Sequence, residues 1–317
     1  MAEFQWALDA TTGVFKNHAL SAKLREAAIA ATKCMEHVDP EPGYGKRMGD
    51  TVTIPRISNI AEPTTAKFSE GDQVPVDTFA MSTTSVTVSY WGRAVRLSDF
   101  AQMLSSFDLK DKIQRKLLQQ QRLVLDSGAA TAFKAGQIKF QPTSLSGGTF
   151  ATNGTASTTA LENLTVAHVK TIRDYMQDTL HVPGRNGGDD YVGLASTKAC
   201  RGIKNDPEFM EWHKYVGPDK LYTGEIGKIE NVRFIEVNHT NALSNAKGSG
   251  SVLGEAVIFG DDAVTMAIVQ DPELRIAIPG NFGLSLGVAW IGVLEFLQTW
   301  GDSASDGEAR VVHVTSA

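Results

Sequence analysis

Ser285 lies in a pattern that is typical of a nucleophilic catalyst. The run Gly283-Leu284-Ser285-Leu286-Gly287 has the G-x-S-x-G spacing of a nucleophile elbow, a strand-to-helix turn that exposes the serine hydroxyl. The serine would need an acid and a histidine further along the chain, for which the candidates are Asp302, Asp306 and His313. The bulky, β-branched segment that starts at Val288 disfavours the required helix. A serine hydrolase that uses Ser285 is therefore a minor alternative, and we interpret the glycines as strand or loop positions.

The histidines, cysteines and acids form no pattern typical of a metal or cofactor site. No two histidines have H-x-x-x-H spacing, and Cys34 and Cys200 lie far apart. No Walker A or dinucleotide motif is present. The acid pairs Asp189-Asp190 and Asp261-Asp262 lie in turn sequence, which explains them better than a cation does. A structural turn likewise explains the Lys220–Lys228 segment better than a ligand-binding loop does. We predict no catalytic residue, no cofactor and no metal, and hence no enzyme.

Composition points to an ordinary globular protein of more than one unit. The chain has 317 residues, 42% of them hydrophobic, which predicts two domains or one domain with long excursions. A net charge of -6 argues against binding nucleic acid through a basic surface. No apolar run reaches membrane-spanning length, and no signal peptide is expected. Unpaired thiols in a reducing compartment are the simplest interpretation of the cysteines.

The first third of the chain predicts a helical arm followed by a two-stranded ribbon. An amphipathic helix is predicted over Ser21–Met35, and the breaker cluster Asp39–Gly45 stops it. Alternating β-branched residues predict a strand at Thr51–Ser58, with Pro55 favouring an edge, and a second strand at Ser85–Leu97. A lone ribbon is marginally stable in water, so a neighbouring subunit would be its natural partner.

The rest of the chain predicts a mixed α+β region. Apolar residues at helical spacing predict a short helix capped by Ser98 and a long helix over about residues 107–135. The Gly/Ser/Thr-rich stretch Ser144–Thr159 is predicted to be a loop and a domain boundary. Thr165 and Ser196 are predicted helix caps. The predicted strands are Tyr191–Ala195, Val232–Val237, Val257–Phe259, Val264–Val269, Leu284–Val288 and Val311–Val314.

Six stretches in this order resemble the major capsid proteins of tailed bacteriophages, which have the Hong Kong 97-type fold, and among them most closely the bacteriophage N4-type family. Their order and spacing carry the resemblance, which covers most of the chain from about residue 45 to 290. The stretches are Gly49–Pro55, Glu70-Gly71, Val86–Leu97, Leu125–Gly128, Tyr222–Ile229 and Val232–Glu236.

The resemblance implies an α+β capsid subunit with five segments. These are an N-arm (1–49), an extended β-ribbon loop (50–98), a peripheral domain with the spine helix (99–160), an axial domain (161–275) and return strands of the peripheral domain (276–317). It also implies inter-subunit contacts near the ribbon tip. The charged residues expected there are Arg56, Lys67, Glu70 and Asp72.

By the same resemblance, the protein would assemble with itself as hexamers and pentamers into an icosahedral shell. The shell would enclose double-stranded phage DNA without sequence-specific binding and would contact no membrane. A separate scaffolding protein, a portal protein and an optional decoration protein are the implied partners. Assembly would occur in the bacterial host cytoplasm, and the product would be the virion capsid. An encapsulin-like nanocompartment shell, which holds cargo enzymes, is the alternative with the same fold. A tail or baseplate protein is a weaker one.

Overall fold

The structure, a computed structural model, shows three β-sheets and one long helix within the residues that it describes. It describes residues 28–42, 49–58, 60, 62–79, 81–104, 109–214, 227–277, 284–300 and 308–317. The helices are α1 (Asp99–Leu104), α2 (Leu109–Lys134), α3 (Val166–Asp174), α4 (Thr197–Lys204) and α5 (Pro207–Lys214). The strands are β1 (Asp39–Pro42), β2 (Thr51–Ile57), β3 (Met81–Thr87), β4 (Ser89–Ser98), β5 (Ile138–Pro142), β6 (Gly148–Ala151), β7 (Tyr191–Ser196), β8 (Lys228–Ile229), β9 (Val232–Val237), β10 (Ala256–Phe259), β11 (Val264–Ile276), β12 (Ser285–Gln298) and β13 (Val311–Val314).

The sheets bring together strands that are far apart in sequence. One sheet has the order β6-β5-β13-β10-β7-β9-β8, and a second has the order β1-β11-β12-β4. The third sheet is the antiparallel pair β2-β3, in which Thr51 faces Thr87 and Ile57 faces Met81. The two-stranded sheet is the ribbon that the sequence predicted.

Two main hydrophobic cores lie on the large sheet. One packs α3 and α4 against it through side chains such as Ile172 and Ile203, both fully buried. The other joins the C-terminal half of α2 to the sheet, where the rings of Phe133 and Phe259 lie 4.6 Å apart. A smaller cluster around Leu117 and Trp290 holds the middle of α2 against β12. Helix α2 therefore connects the large sheet to the four-stranded sheet.

Gly128 allows α2 to approach the four-stranded sheet closely. A Cβ atom at this position would lie 2.8 Å from Trp91 Cη2 and 2.9 Å from Phe296 Cε2. Those two rings meet edge-on, with centroids 5.9 Å apart. The glycine thus leaves room for an aromatic pair beneath the helix.

We expect Gly128→Val to destabilise the fold by about 1–3 kcal/mol, because the added methyl groups overpack this contact. Urea unfolding of the full chain measures the change. Thr131→Val is the matched control, since Thr131 is exposed on the same helix, and it should stay within about 0.5 kcal/mol of wild type. Equal stability of Gly128→Val and Thr131→Val would contradict the predicted contact.

Several predicted elements are confirmed. The long helix is α2, and the buried strand at Tyr191–Ala195 is β7, whose residues are all buried. Thr165 caps α3, since its hydroxyl accepts a hydrogen bond from the His168 amide, and Ser196 caps α4 in the same way. These elements have strong local signals, namely helical periodicity, a β-branched buried run and an N-cap hydroxyl.

Three local predictions are wrong in part. Residues 28–34 of the predicted helix Ser21–Met35 are not helical, and a single 3-10 turn forms at Met35–His37; residues 21–27 lie outside the described ranges. The predicted strand Ser85–Leu97 is two strands, because Val88 donates its amide to Asp50 and the chain then leaves β2 for β12. The predicted loop Ser144–Thr159 contains β6, which pairs with β5 as a hairpin.

The division into five segments remains a prediction. Hydrogen bonding shows that strands from three of these segments share the large sheet: β5 and β6 from 99–160, β7 to β10 from 161–275, and β13 from 276–317. The segments share one sheet because β13 pairs with β5 on one side and with β10 on the other.

Candidate assembly surfaces

The ribbon has one face against its own chain and one face toward solvent. Residues alternate between partly buried and exposed along both β2 and β3. At the end of the strand pair where the connecting loop begins, Arg56 donates hydrogen bonds to the Ser82 hydroxyl (2.7 Å) and to the Thr299 carbonyl (3.0 Å), and Thr84 donates to the same carbonyl (3.3 Å). Arg56 therefore fastens the ribbon to the end of β12.

The loop that joins the two ribbon strands carries the other three predicted charges. Lys67, Glu70 and Asp72 are all exposed. A turn forms there, because the Asp72 amide donates to the Ser69 carbonyl (3.1 Å) and the Asp72 carboxylate accepts from the Ser69 amide (3.2 Å). Gly71 takes a φ of +97° in this turn, which favours glycine. These three residues thus lie in the loop, whereas Arg56 is the penultimate residue of β2. The role of all four between subunits is untested and remains a prediction.

Large apolar side chains are exposed on the ribbon and its loop. Val76 is 88% exposed and Val74 65%. The other exposed apolar residues of this surface are Ile57, Ile60, Phe68, Phe79 and Met81. Such a concentration marks an interaction surface. The sequence did not predict this apolar surface, because its residues lie in a polar, proline-containing stretch and have no periodic spacing.

A groove between α2 and β4 forms a second surface. It has a volume of about 370 Å³ and a floor made by Val95, Ile113 and Leu117. Lys112, Lys116 and Gln120 line its rim. Strand β4 lies at the edge of the four-stranded sheet and is exposed over most of its length. The groove is therefore apolar inside and positively charged at its border.

Asp126 fixes the segment that precedes the ribbon. It lies fully buried in α2, and its Oδ1 accepts hydrogen bonds from the backbone amides of Cys34 (2.8 Å) and Met35 (3.2 Å). Its Oδ2 lies 2.9 Å from His239 Nδ1. Asn238 accepts a further bond from the Ala31 amide. The sequence signal for Asp126 is an acidic residue on the apolar side of a predicted helix. Its hydrogen-bond partners could not be predicted from the sequence.

The structure does not support a nucleophile elbow at Ser285. Ser285 begins strand β12, which pairs with β4, so no helix follows the serine. His313 is buried in the other large sheet beside Glu255 and Lys139. The elbow pattern is explained by a strand start, as the sequence analysis favoured.

The other candidate chemical groups have structural partners. Asp190 pairs with Lys228, and Asp262 accepts from the Trp300 indole (2.6 Å) and lies 3.5 Å from Arg310. Within the described ranges, no three His, Cys, Asp or Glu side chains are grouped to hold a metal ion. Most of the Lys220–Lys228 loop lies outside those ranges.

Both thiols are buried and unpaired in the structure. Burial raises the pKa of Cys34 and of Cys200 to about 12. Neither thiol is therefore a nucleophile at neutral pH. Among the helices that the structure describes, none has the length and hydropathy to cross a bilayer.

Comparison with solved structures identifies the fold of the chain. No protein-family model matches the chain, and no curated protein does. The capsid of cyanophage Pam1 matches with a TM-score of 0.71, 15% identity and 100% of both chains covered. The acid-stable capsid of Helicobacter pylori bacteriophage KHP30 matches with a TM-score of 0.71, 12% identity and coverage of 100% of this chain and 99% of that chain. The capsid of cyanophage P-SCSP1u matches at 0.66, 12% identity and coverage of 96% and 93%.

Full-length similarity at these TM-scores establishes the architecture, whereas identities this low do not transfer function. The chain has the α+β fold of the Hong Kong 97-type capsid proteins, as the sequence resemblance predicted. The narrower resemblance to the N4-type family stays a prediction.

Proposed function

We propose that this chain is a major capsid protein of a tailed bacteriophage, a subunit that builds a shell and catalyses no reaction. The observation that carries the proposal is the ribbon, whose loop exposes large apolar side chains such as Val74 and Val76. We infer that the surface covering these side chains comes from another molecule, because the solved structures with this fold are phage capsids. Among the described residues, Ser285 begins a strand and His313 lies in a different sheet, which is consistent with this function; Asp302 and Asp306 lie outside the described ranges.

The ribbon loop and the groove of one subunit are complementary in chemistry. The loop combines apolar side chains with Glu70, Asp72 and Asp77, and the groove combines an apolar floor with Lys112 and Lys116. We propose that the loop of one copy lies in the groove of the next. Each exposed ion pair contributes about 0–1 kcal/mol, but closed symmetry repeats the contact at every interface.

Reversing the charges of the groove should impair assembly. For Lys112→Glu/Lys116→Glu we expect the concentration needed for assembly to rise about tenfold or more, which corresponds to about 1.4 kcal/mol per interface. Adding Glu70→Lys/Asp72→Lys to the same chain should return the concentration needed for assembly most of the way to the wild-type value. Light scattering against protein concentration measures the effect.

A matched double variant is the control for this experiment. Arg115→Glu/Arg122→Glu reverses two exposed charges of the same helix that do not line the groove, and it should assemble near the wild-type concentration. Equal loss in both double variants, or no rescue by the loop changes, would refute the groove as the docking site.

The finer features of the proposal follow from the sequence resemblance. We propose membership in the N4-type family, assembly as hexamers and pentamers into an icosahedral shell, and packaging of double-stranded DNA. A separate scaffolding protein, a portal protein and an optional decoration protein are the proposed partners, with assembly in the host cytoplasm. We also propose the five segments 1–49, 50–98, 99–160, 161–275 and 276–317 as the units of this subunit. DNA in purified particles supports a phage shell, whereas cargo protein without DNA would favour an encapsulin-like compartment.

A further inference from the structure

Three ionisable side chains form a buried chain at the C-terminal strand. Lys139 of β5, His313 of β13 and Glu255, which precedes β10, are 6%, 5% and 3% exposed. The Lys139 Nζ lies 3.2 Å from His313 Nδ1, and His313 Nε2 lies 3.3 Å from Glu255 Oε1. The proposed assembly surfaces do not use any of the three.

The contact with Lys139 favours a neutral imidazole. An ammonium group only donates hydrogen bonds, and a carboxylate only accepts them. The Lys139 contact joins a donor to an acceptor when His313 Nδ1 carries the lone pair and Nε2 carries the proton. Nε2 then faces Glu255 Oε1 at ion-pair distance, outside hydrogen-bond geometry. A protonated His313 would present an N–H group and a positive charge to the Lys139 ammonium.

Other charges around the cluster reinforce this arrangement. Lys134, at the end of α2, has its Nζ 4.0 Å from Glu255 Oε2, and its carbonyl accepts a hydrogen bond from Lys139. Lys247 has its Nζ 3.7 Å from Glu255 Oε1, and the Ser244 amide donates to Glu255 Oε2 (2.8 Å). Three lysines therefore surround a single carboxylate, and an additional positive charge on His313 has no second anion to balance it among these groups.

The pKa shifts agree with this geometry. Burial, together with the charges of Lys139 and Lys134, lowers the pKa of His313 to about 4 against the opposing effect of Glu255. Burial would raise the pKa of Glu255, but the close contact with His313, the hydrogen bond from the Ser244 amide and the charge of Lys134 lower it to about 2. Burial also lowers the pKa of Lys139 to about 8.

We propose that Lys139, His313 and Glu255 form an acid-sensitive lock, which holds strand β13 between β5 and the 244–255 loop while His313 is neutral. The pKa of His313 is lower in the folded chain than its ordinary value of 6.5. Its contribution to stability is therefore complete above pH 6.5 and is lost as the pH falls from 6.5 through about 4. The lock lies within one subunit and does not depend on the proposed shell function.

Two measurements on the full chain test the lock. Nuclear magnetic resonance of the histidine rings should show His313 titrating below about pH 5. Urea unfolding should show that the folding equilibrium constant of the wild type falls about 100-fold from His313 alone between neutral pH and about pH 4. His313→Gln should lose most of this dependence, whereas His181→Asn, at an exposed histidine, should keep it.

Lys139→Met provides a second test of the lock. If His313→Gln does not fold, Lys139→Met replaces it: removing the facing cation should raise the pKa of His313 and narrow the pH range over which stability is lost. Titration of His313 near pH 6.5 in the wild type would overturn the proposal. So would a His313→Gln variant with the wild-type pH dependence.

Discussion

Deleting Ala61–Asp77 should leave a folded, soluble subunit that cannot close shells. The deletion removes three of the exposed apolar residues, Phe68, Val74 and Val76, and three of the predicted charged contacts, Lys67, Glu70 and Asp72. Six residues, Ser58 to Ile60 and Thr78 to Ala80, would still connect Ile57 to Met81, which face each other in the ribbon. Because the hydrophobic cores lie outside the loop, we expect near-native stability and no closed particles by electron microscopy.

A variant of equal length separates loop chemistry from loop length. Replacing residues 61–77 with a glycine-serine sequence keeps the connection but removes the side chains, and it should also fail to assemble. Thermal unfolding near the wild-type temperature for both variants shows that the subunit is folded. Normal particles from either variant would mean that the loop does not hold the shell together.

Asp126→Ala should have the largest effect on the stability of the subunit itself. It would leave the amides of Cys34 and Met35 and the ring of His239 without their buried acceptor. Losing one member of a buried pair of this kind costs about 3–5 kcal/mol. That is a large share of the roughly 5–15 kcal/mol that stabilises a typical domain. Urea unfolding of the full chain measures the loss.

Asp111→Ala is the matched control for this prediction. Asp111 lies on the same helix, is about half exposed and pairs with Arg115 at 3.1 Å, so its loss should cost only about 0.3–0.5 kcal/mol. Asp126→Asn keeps an acceptor oxygen and should fall between the two. Equal small losses for Asp111→Ala and Asp126→Ala would show that Asp126 does not anchor the segment before the ribbon.

Local sequence patterns predicted the elements but not their partners. Helix α2 and strands β2, β7 and β9 follow from periodicity that a few neighbouring residues define. The break at Val88 could not be predicted, because β3 and β4 both alternate and differ only in the strand that each one pairs with. Strand partners are chosen by contacts that are distant in sequence, as in the pairing of Ser98 with Ser285.

The candidate surfaces show the same limit. Arg56, Lys67, Glu70 and Asp72 were predicted as a group because they lie close in sequence in or beside the loop of the ribbon. Lys112 and Lys116 were not predicted, because their groove exists only where α2 packs beside β4. The partners of Asp126 lie 92 and 113 residues away. Residues whose role depends on such distant neighbours become visible only in the folded chain.

Electron microscopy of the purified full-length protein at rising concentration tests the central claim most directly. A capsid subunit should form polyhedral shells, tubes or closed rings of five or six copies, alone or when a candidate scaffolding protein is added. The wild type should assemble under conditions in which the variant lacking Ala61–Asp77 does not. Monomers at every concentration, together with labelling of Ser285 by a serine-reactive fluorophosphonate, would contradict the proposal and favour a hydrolase.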